Sequence, residues 1–117
     1  MADPSRIIRE PVSRSHLVSL ARDQFGDMIK AVVDVRRGIM ALGAELHSDD
    51  EALLLDDGSE QRDLWGINLY ADDPSDDWIE FDSMINVRPS QGNRSRGVAD
   101  ASTRAQIVSV VAALVTD

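Results

Sequence analysis

The chain has 117 residues, enough for one domain with a single core, and no cysteine, which excludes disulfides and thiolate-held metal. Its formal net charge of −9 is unevenly spread: residues 45–82 hold 14 acids against one base, Arg62, a net of −13, and the stretches on either side each net +2. Phosphate backbones are bound by basic faces, so general nucleic-acid binding is disfavoured. With no signal-peptide-like start and no membrane-length apolar run, the expectation is an acidic cytoplasmic protein that does not enter membranes.

Residues 6–9 form a short strand candidate stopped by Pro11. Ser13 is placed to cap a helix that buries Leu17, Leu20, Ala21 and Phe25, with Gly26 ending it. Residues 28–36 alternate as a strand, with Ile29, Ala31, Val33 and Val35 on one face and Lys30, Val32, Asp34 and Arg36 on the other. Arg37-Gly38 turns the chain, and residues 39–44 return as a second strand. Ser48-Asp49-Asp50-Glu51 reads as a capping box with Ser48 at the N-cap of a short helix that ends at Gly58. Residues 52–55 also fit a strand turning at Asp57-Gly58. Residues 64–70 form a strand with Trp65, Ile67 and Leu69 on one face. After the acidic loop 72–77, residues 78–88 alternate as the longest strand, with Ile79, Phe81, Ser83, Ile85 and Val87 facing the core. Ser102 caps a last helix whose Ile107, Val110, Val111 and Leu114 are either deeply packed or a homodimer contact.

These elements predict one α+β domain over residues 1–117, in the order β-α-β-β-α-β-β-α. Its antiparallel sheet has four to five strands and carries the first and last helices on one face. The other face is expected to stay open and polar, presenting Lys30, Asp34, Asn68, Tyr70, Glu80, Asp82, Asn86 and Arg88.

The segment from Asn86 to Gly97 contains three arginines and five amide or hydroxyl side chains with no acid, a composition made to donate hydrogen bonds. Its Gly92-to-Gly97 spacing is that of a P-loop, but Val98 stands where the lysine is needed, which excludes a Walker site. The expected site has Asn86, Arg88, Gln91, Asn93 and Arg94 as donors, framed by Trp78, Glu80 and Asp82, for an anionic small molecule or a protein partner. In the competing structural reading, Arg88 and Arg94 pair with Glu80, Asp82 or the acidic segment and only pin the loop down.

Two other functions fit the residues. Glu45, His47 and Glu51 are weak metal-ligand candidates for a metal-assisted hydrolase, short of donors because His16 is the only other histidine. Glu80 and Asp82, two residues apart on a strand, could split their pKa values as an acid–base pair does. Alternatively, the −13 segment could neutralise a basic protein partner. The residues do not identify a cofactor.

Longer motifs carry a resemblance. Gln24-Phe25-Gly26-Asp27, Gly43-Ala44-Glu45-Leu46-His47, the run from Asp63 to Tyr70 and the run from Ile85 to Ser95 make the chain resemble a family of small prokaryotic proteins catalogued only as a domain of unknown function. The resemblance spans most of the chain, implies a stand-alone domain and carries over no activity.

Overall fold

The alternating apolar residues Ile29, Ala31 and Val33 become the centre of a five-stranded sheet in the computed structural model, which describes residues 5–116. In chain order the elements are β1 (Arg6–Ile8), β2 (Val12–Ser13), α1 (Arg14–Gln24), β3 (Ile29–Asp34), β4 (Ile39–Leu42), α2 (His47–Asp56), β5 (Leu64–Leu69), β6 (Ile79–Glu80), α3 (Ala101–Leu114) and β7 (Val115–Thr116). Single 3-10 turns lie at Gln61–Asp63, Asp76–Trp78, Met84–Asn86 and Pro89–Gln91. The sheet order is β1-β4-β3-β5-β6 with every neighbour antiparallel. A separate parallel pair, β2 with β7, ties the start of α1 to the end of α3.

Period-two alternation divides the strands between two apolar layers. Ile29, Ala31, Val33, Met40, Leu42, Trp65, Ile67 and Leu69 pack against Leu17 and Ala21 of α1 and Ile107, Val111 and Leu114 of α3. The first and last helices therefore share one face, as expected. On the reverse face Val32, Ile39, Ala41 and Leu64 pack against Leu54 of α2. That corrects the expectation of an open polar face. Burying one such side chain is worth about 1.5–3 kcal/mol, and the four strand residues leave an apolar patch that α2 covers. Asp34 is fully buried there; its carboxylate accepts from the N–H groups of Arg36 and Arg37, both at 2.9 Å, and from the Ser59 hydroxyl at 2.7 Å. Those bonds satisfy the charge and fix the β3–β4 turn.

Residues 52–55 are helical; Ser13 caps α1 as expected, accepting from the His16 N–H at 3.1 Å, but the expected caps of α2 and α3 move. α2 starts at His47 with Leu46 as an N-cap that offers no side-chain bond, so Ser48 lies inside the first turn. The Asp50 carboxylate is drawn inward to the Ala44 N–H (3.3 Å), and the His47 ring bonds the Ile67 carbonyl (2.8 Å). These two tertiary contacts set the helix start ahead of the local capping signal. In α3 the cap is Asp100, not Ser102; its carboxylate accepts from the Thr103 N–H at 3.0 Å and the Thr103 hydroxyl at 2.7 Å.

The largest correction concerns residues 78–88. Only Ile79 and Glu80 pair with β5, opposite Leu69 and Asn68. Beyond them the chain leaves the ladder and side chains complete it. Asn86 Oδ1 accepts from Gly66 N–H at 2.8 Å, and Asn86 Nδ2 donates to Gly66 O at 3.0 Å. This is the two-bond exchange that a backbone partner would make. Arg88 donates to the Leu64 carbonyl two residues away along the same edge. The close approach requires glycine, because a Cβ at position 66 would stand 2.6 Å from both Cβ and Oγ of Ser83. The exposed edge of β5 is thereby closed without another strand.

Candidate functional site

Three of the eight polar residues in the arginine loop, Asn86, Arg88 and Asn93, face inward, and the other five are exposed. Asn86 and Asn93 are 0% and 3% exposed. Asn93 Nδ2 donates to the carbonyls of Asn86 (2.7 Å), Ser95 (3.1 Å) and Gly97 (2.8 Å), while its Oδ1 accepts from Ala99 N–H (2.8 Å). Arg88 donates to the carbonyls of Gln61 and Leu64 and stacks 4.2 Å from the centre of the Trp65 ring. Gln91 accepts from Arg88 (3.3 Å) and donates to the Arg62 carbonyl (3.2 Å). Arg94 is exposed and makes no ion pair among the described residues. Trp78 lies away from the loop, part-buried against the main core with the Arg14 guanidinium 4.1 Å over its ring.

This framework aims a third arginine. The Arg96 carbonyl is held by Ser83 N–H at 2.9 Å and by Asn86 Nδ2 at 3.0 Å. Its side chain reaches Asp82, with Nε to Oδ1 at 2.6 Å, on the reverse face of the sheet beyond the cover of α2. There a cleft of about 200 Å³ is lined by Lys30, Leu46, His47, Ser48, Ser83, Met84, Ile85 and Arg96. Cross-strand register explains the gathering. Lys30 sits opposite Asn68, and Asn68 opposite Glu80, so the three form one polar row across β3, β5 and β6. Asn68 donates to Glu80 at 2.8 Å and to the Asp82 carbonyl at 3.3 Å.

His47 forms one wall. A carbonyl can only accept, so the bond to Ile67 places the ring proton on Nε2 and leaves the Nδ1 lone pair free of it. Burial holds the imidazole pKa below its ordinary value and nearby Lys30 adds to that, against the opposing pull of the Ile67 carbonyl. The ring is therefore neutral at pH 7. The cleft has two cations, Lys30 and Arg96, a neutral imidazole and two hydroxyls. Lys30 also lies 5.1 Å over the Phe25 ring.

Glu45, His47 and Glu51 do not assemble. Among the described residues no three histidine or carboxylate side chains are grouped to hold a metal. Glu45 is exposed, His47 has Nε2 on a carbonyl, and Glu51 points one turn further along α2 towards Arg88 and Gln61. Burial raises the Glu51 pKa, with Arg88 and Gln61 opposing the rise. A group whose folded pKa is raised contributes stability below its unfolded pKa and loses it as pH rises through the folded value. Glu51→Gln is therefore expected to melt higher than the parent at pH 7, with the gap closing towards about pH 4. Thermal melts of both proteins across that range check the prediction.

Two further cavities lie among the described residues. One of about 320 Å³ is lined by Gln91 and Asn93 with Trp65, Arg62 and Asp100, but Asn93 is already fully bonded. The other, about 370 Å³, is an open groove lined, among the described residues, by positions between Arg6 and Val12. The cleft at Lys30 differs in being lined by two cations, Lys30 and Arg96, and no carboxylate, whereas Asp63 and Asp100 line the first of these cavities and Glu10 the second. In the sequence Lys30 falls on the face expected to be polar, while Arg96 is only one of three loop arginines and is not among the expected donors. The sole lysine of the chain, on a strand whose one other polar residue is Asp34, is the available signal; strand order is the missing one.

Part of the acidic segment is internally paired. Asp57 meets Arg9 and Arg37, Asp63 meets Arg36, and Asp82 meets Arg96. No helix among the described residues is long and apolar enough to cross a membrane. No curated protein and no solved structure matches the chain. A family model described as a protein of unknown function, DUF5674, matches residues 6–114, and the chain belongs to that family.

Proposed function

We propose that the protein is a small binding module whose cleft at the start of α2 accepts an anionic group through Lys30 and Arg96. One observation carries the reading: both cations line a single cleft, together with the Ser48 and Ser83 side chains. The first turn of α2 adds to it, since Leu46 supplies no capping side chain for its N–H groups. Arg96 keeps guanidinium donors beyond the Nε that engages Asp82, and planar forks suit carboxylate and phosphate oxygens. The proposed ligand contact in the arginine loop thus moves from Arg88 and Arg94 to Arg96, while Asn86, Arg88 and Asn93 hold the loop in shape.

Titration of isotope-labelled protein with acetate, sulfate and inorganic phosphate tests the reading. The expected result is a saturable shift confined to Lys30, His47, Ser48 and Arg96. Lys30→Met and Arg96→Ala should each weaken it at least about tenfold, the loss of one charge-assisted hydrogen bond. Shifts centred on Gln91 and Asn93, or equal affinity in both variants, defeat it.

A further inference from the structure

We infer that the ligand of this cleft is a small carboxylic acid with an apolar tail; the inference rests on the anion-binding reading above. Three independent features converge. The first is size. The cleft, about 200 Å³, is smaller than the roughly 300 Å³ or more of drug-sized sites, which suits an anionic head with a short tail.

The second is charge. Lys30 and Arg96 are the two cations of the cleft, and Arg96 is paired with Asp82 at 2.6 Å. Glu80 lies on the same polar row as Lys30, beyond Asn68. His47, the remaining titratable group on the wall, is neutral. A singly charged head meets Lys30 and the free donors of Arg96. A second negative charge on the ligand has no cation left, because Asp82 already offsets part of the Arg96 charge. That balance selects a carboxylate over a dianionic phosphate.

The third is the rim. Met84 (65% exposed) and Leu46 (55%) are the two most exposed large apolar side chains among the described residues, and both line this cleft with Ile85. Scattered exposed apolar residues need no explanation, but the two most exposed flanking one cationic cleft do. The thioether of Met84 adapts to tails of different shape.

The test is a calorimetric titration of the intact protein with acetate, butyrate, valerate and phenylacetate, beside inorganic phosphate and butyramide. Affinity is expected to rise about three- to fourfold per methylene buried, with phosphate weaker than valerate and butyramide showing no binding. The double variant Leu46→Ser, Met84→Ser should flatten the dependence on tail length, and Lys30→Met should weaken every acid. Phosphate binding tighter than every acid, or carboxylates binding with no dependence on tail length, overturns the carboxylate assignment and leaves the anion site standing. If no anion binds, or all bind Lys30→Met as well as the parent, both readings fall.

Discussion

Asn86→Ala is expected to lower the stability of this protein by about 3–5 kcal/mol and its melting temperature by roughly 10–20 °C. The Asn86 side chain makes three hydrogen bonds, two buried ones to both backbone groups of Gly66 and a part-buried one to the Arg96 carbonyl. Alanine removes all three partners and is too short to admit a strand in their place. A buried backbone group left unpaired costs about 1–3 kcal/mol, and Gly66 has two. The loss is a large fraction of the roughly 6–17 kcal/mol that a chain of this length can have. Gly66 amide exchange should accelerate more than that of Leu69, which stays paired with β3 and β6. Gly66→Ala attacks the same lock from the other side, driving a Cβ into Ser83. Because two of its three close contacts are Ser83 atoms, Ser83→Gly should partly restore a Gly66→Ala protein. If Asn86→Ala unfolds in urea with the parent midpoint and keeps Gly66 protected, the side-chain ladder is not what closes the edge of β5.

That lock also explains what could be read from the sequence. The strands at 29–34 and 64–69 are legible because each buries one alternating apolar set against α1 and α3, and the strand at 39–42 because a four-residue apolar run follows the Arg37-Gly38 turn. Residues 78–88 alternate just as well, and the alternation misled. Its polar members Asn86 and Arg88 do not face solvent from a strand; Asn86 bonds Gly66 from a 3-10 turn, and Arg88 bonds Leu64 from an isolated bridge to Asn93. An amide imitating backbone leaves no periodic trace. The donor-rich loop was visible, but its direction was not, since a buried asparagine and an exposed one look alike in sequence. The cleft was the least legible part. It needs β5 between β3 and β6, which brings Lys30 and Glu80 onto one row although they are far apart in the chain.

Arg88→Ala is expected to be nearly as damaging, and its pH dependence separates two causes. The guanidinium is buried over Trp65 and donates to two carbonyls, Gln61 and Leu64. Losing it leaves both acceptors short of a donor and removes a desolvated cation–π contact, about 3–4 kcal/mol together. Arg88→Lys keeps the charge but has no planar fork to span both carbonyls, so it should recover less than half of the loss. Burial holds the Arg88 pKa below its ordinary value, and Glu51 opposes that shift. The Glu51 carboxylate has in turn Arg88 as its strongest opposing influence against burial. Without Arg88 the folded-state pKa of Glu51 rises further, and the stability lost as pH climbs through that value grows. The gap in melting temperature between parent and Arg88→Ala should therefore be wider at pH 7 than near pH 4, where Glu51 is largely protonated in both. Adding Glu51→Gln to Arg88→Ala should remove that pH dependence while leaving the carbonyl loss intact. A gap independent of pH would show that Arg88 acts on this edge through its hydrogen bonds alone and that Glu51 does not feel its charge.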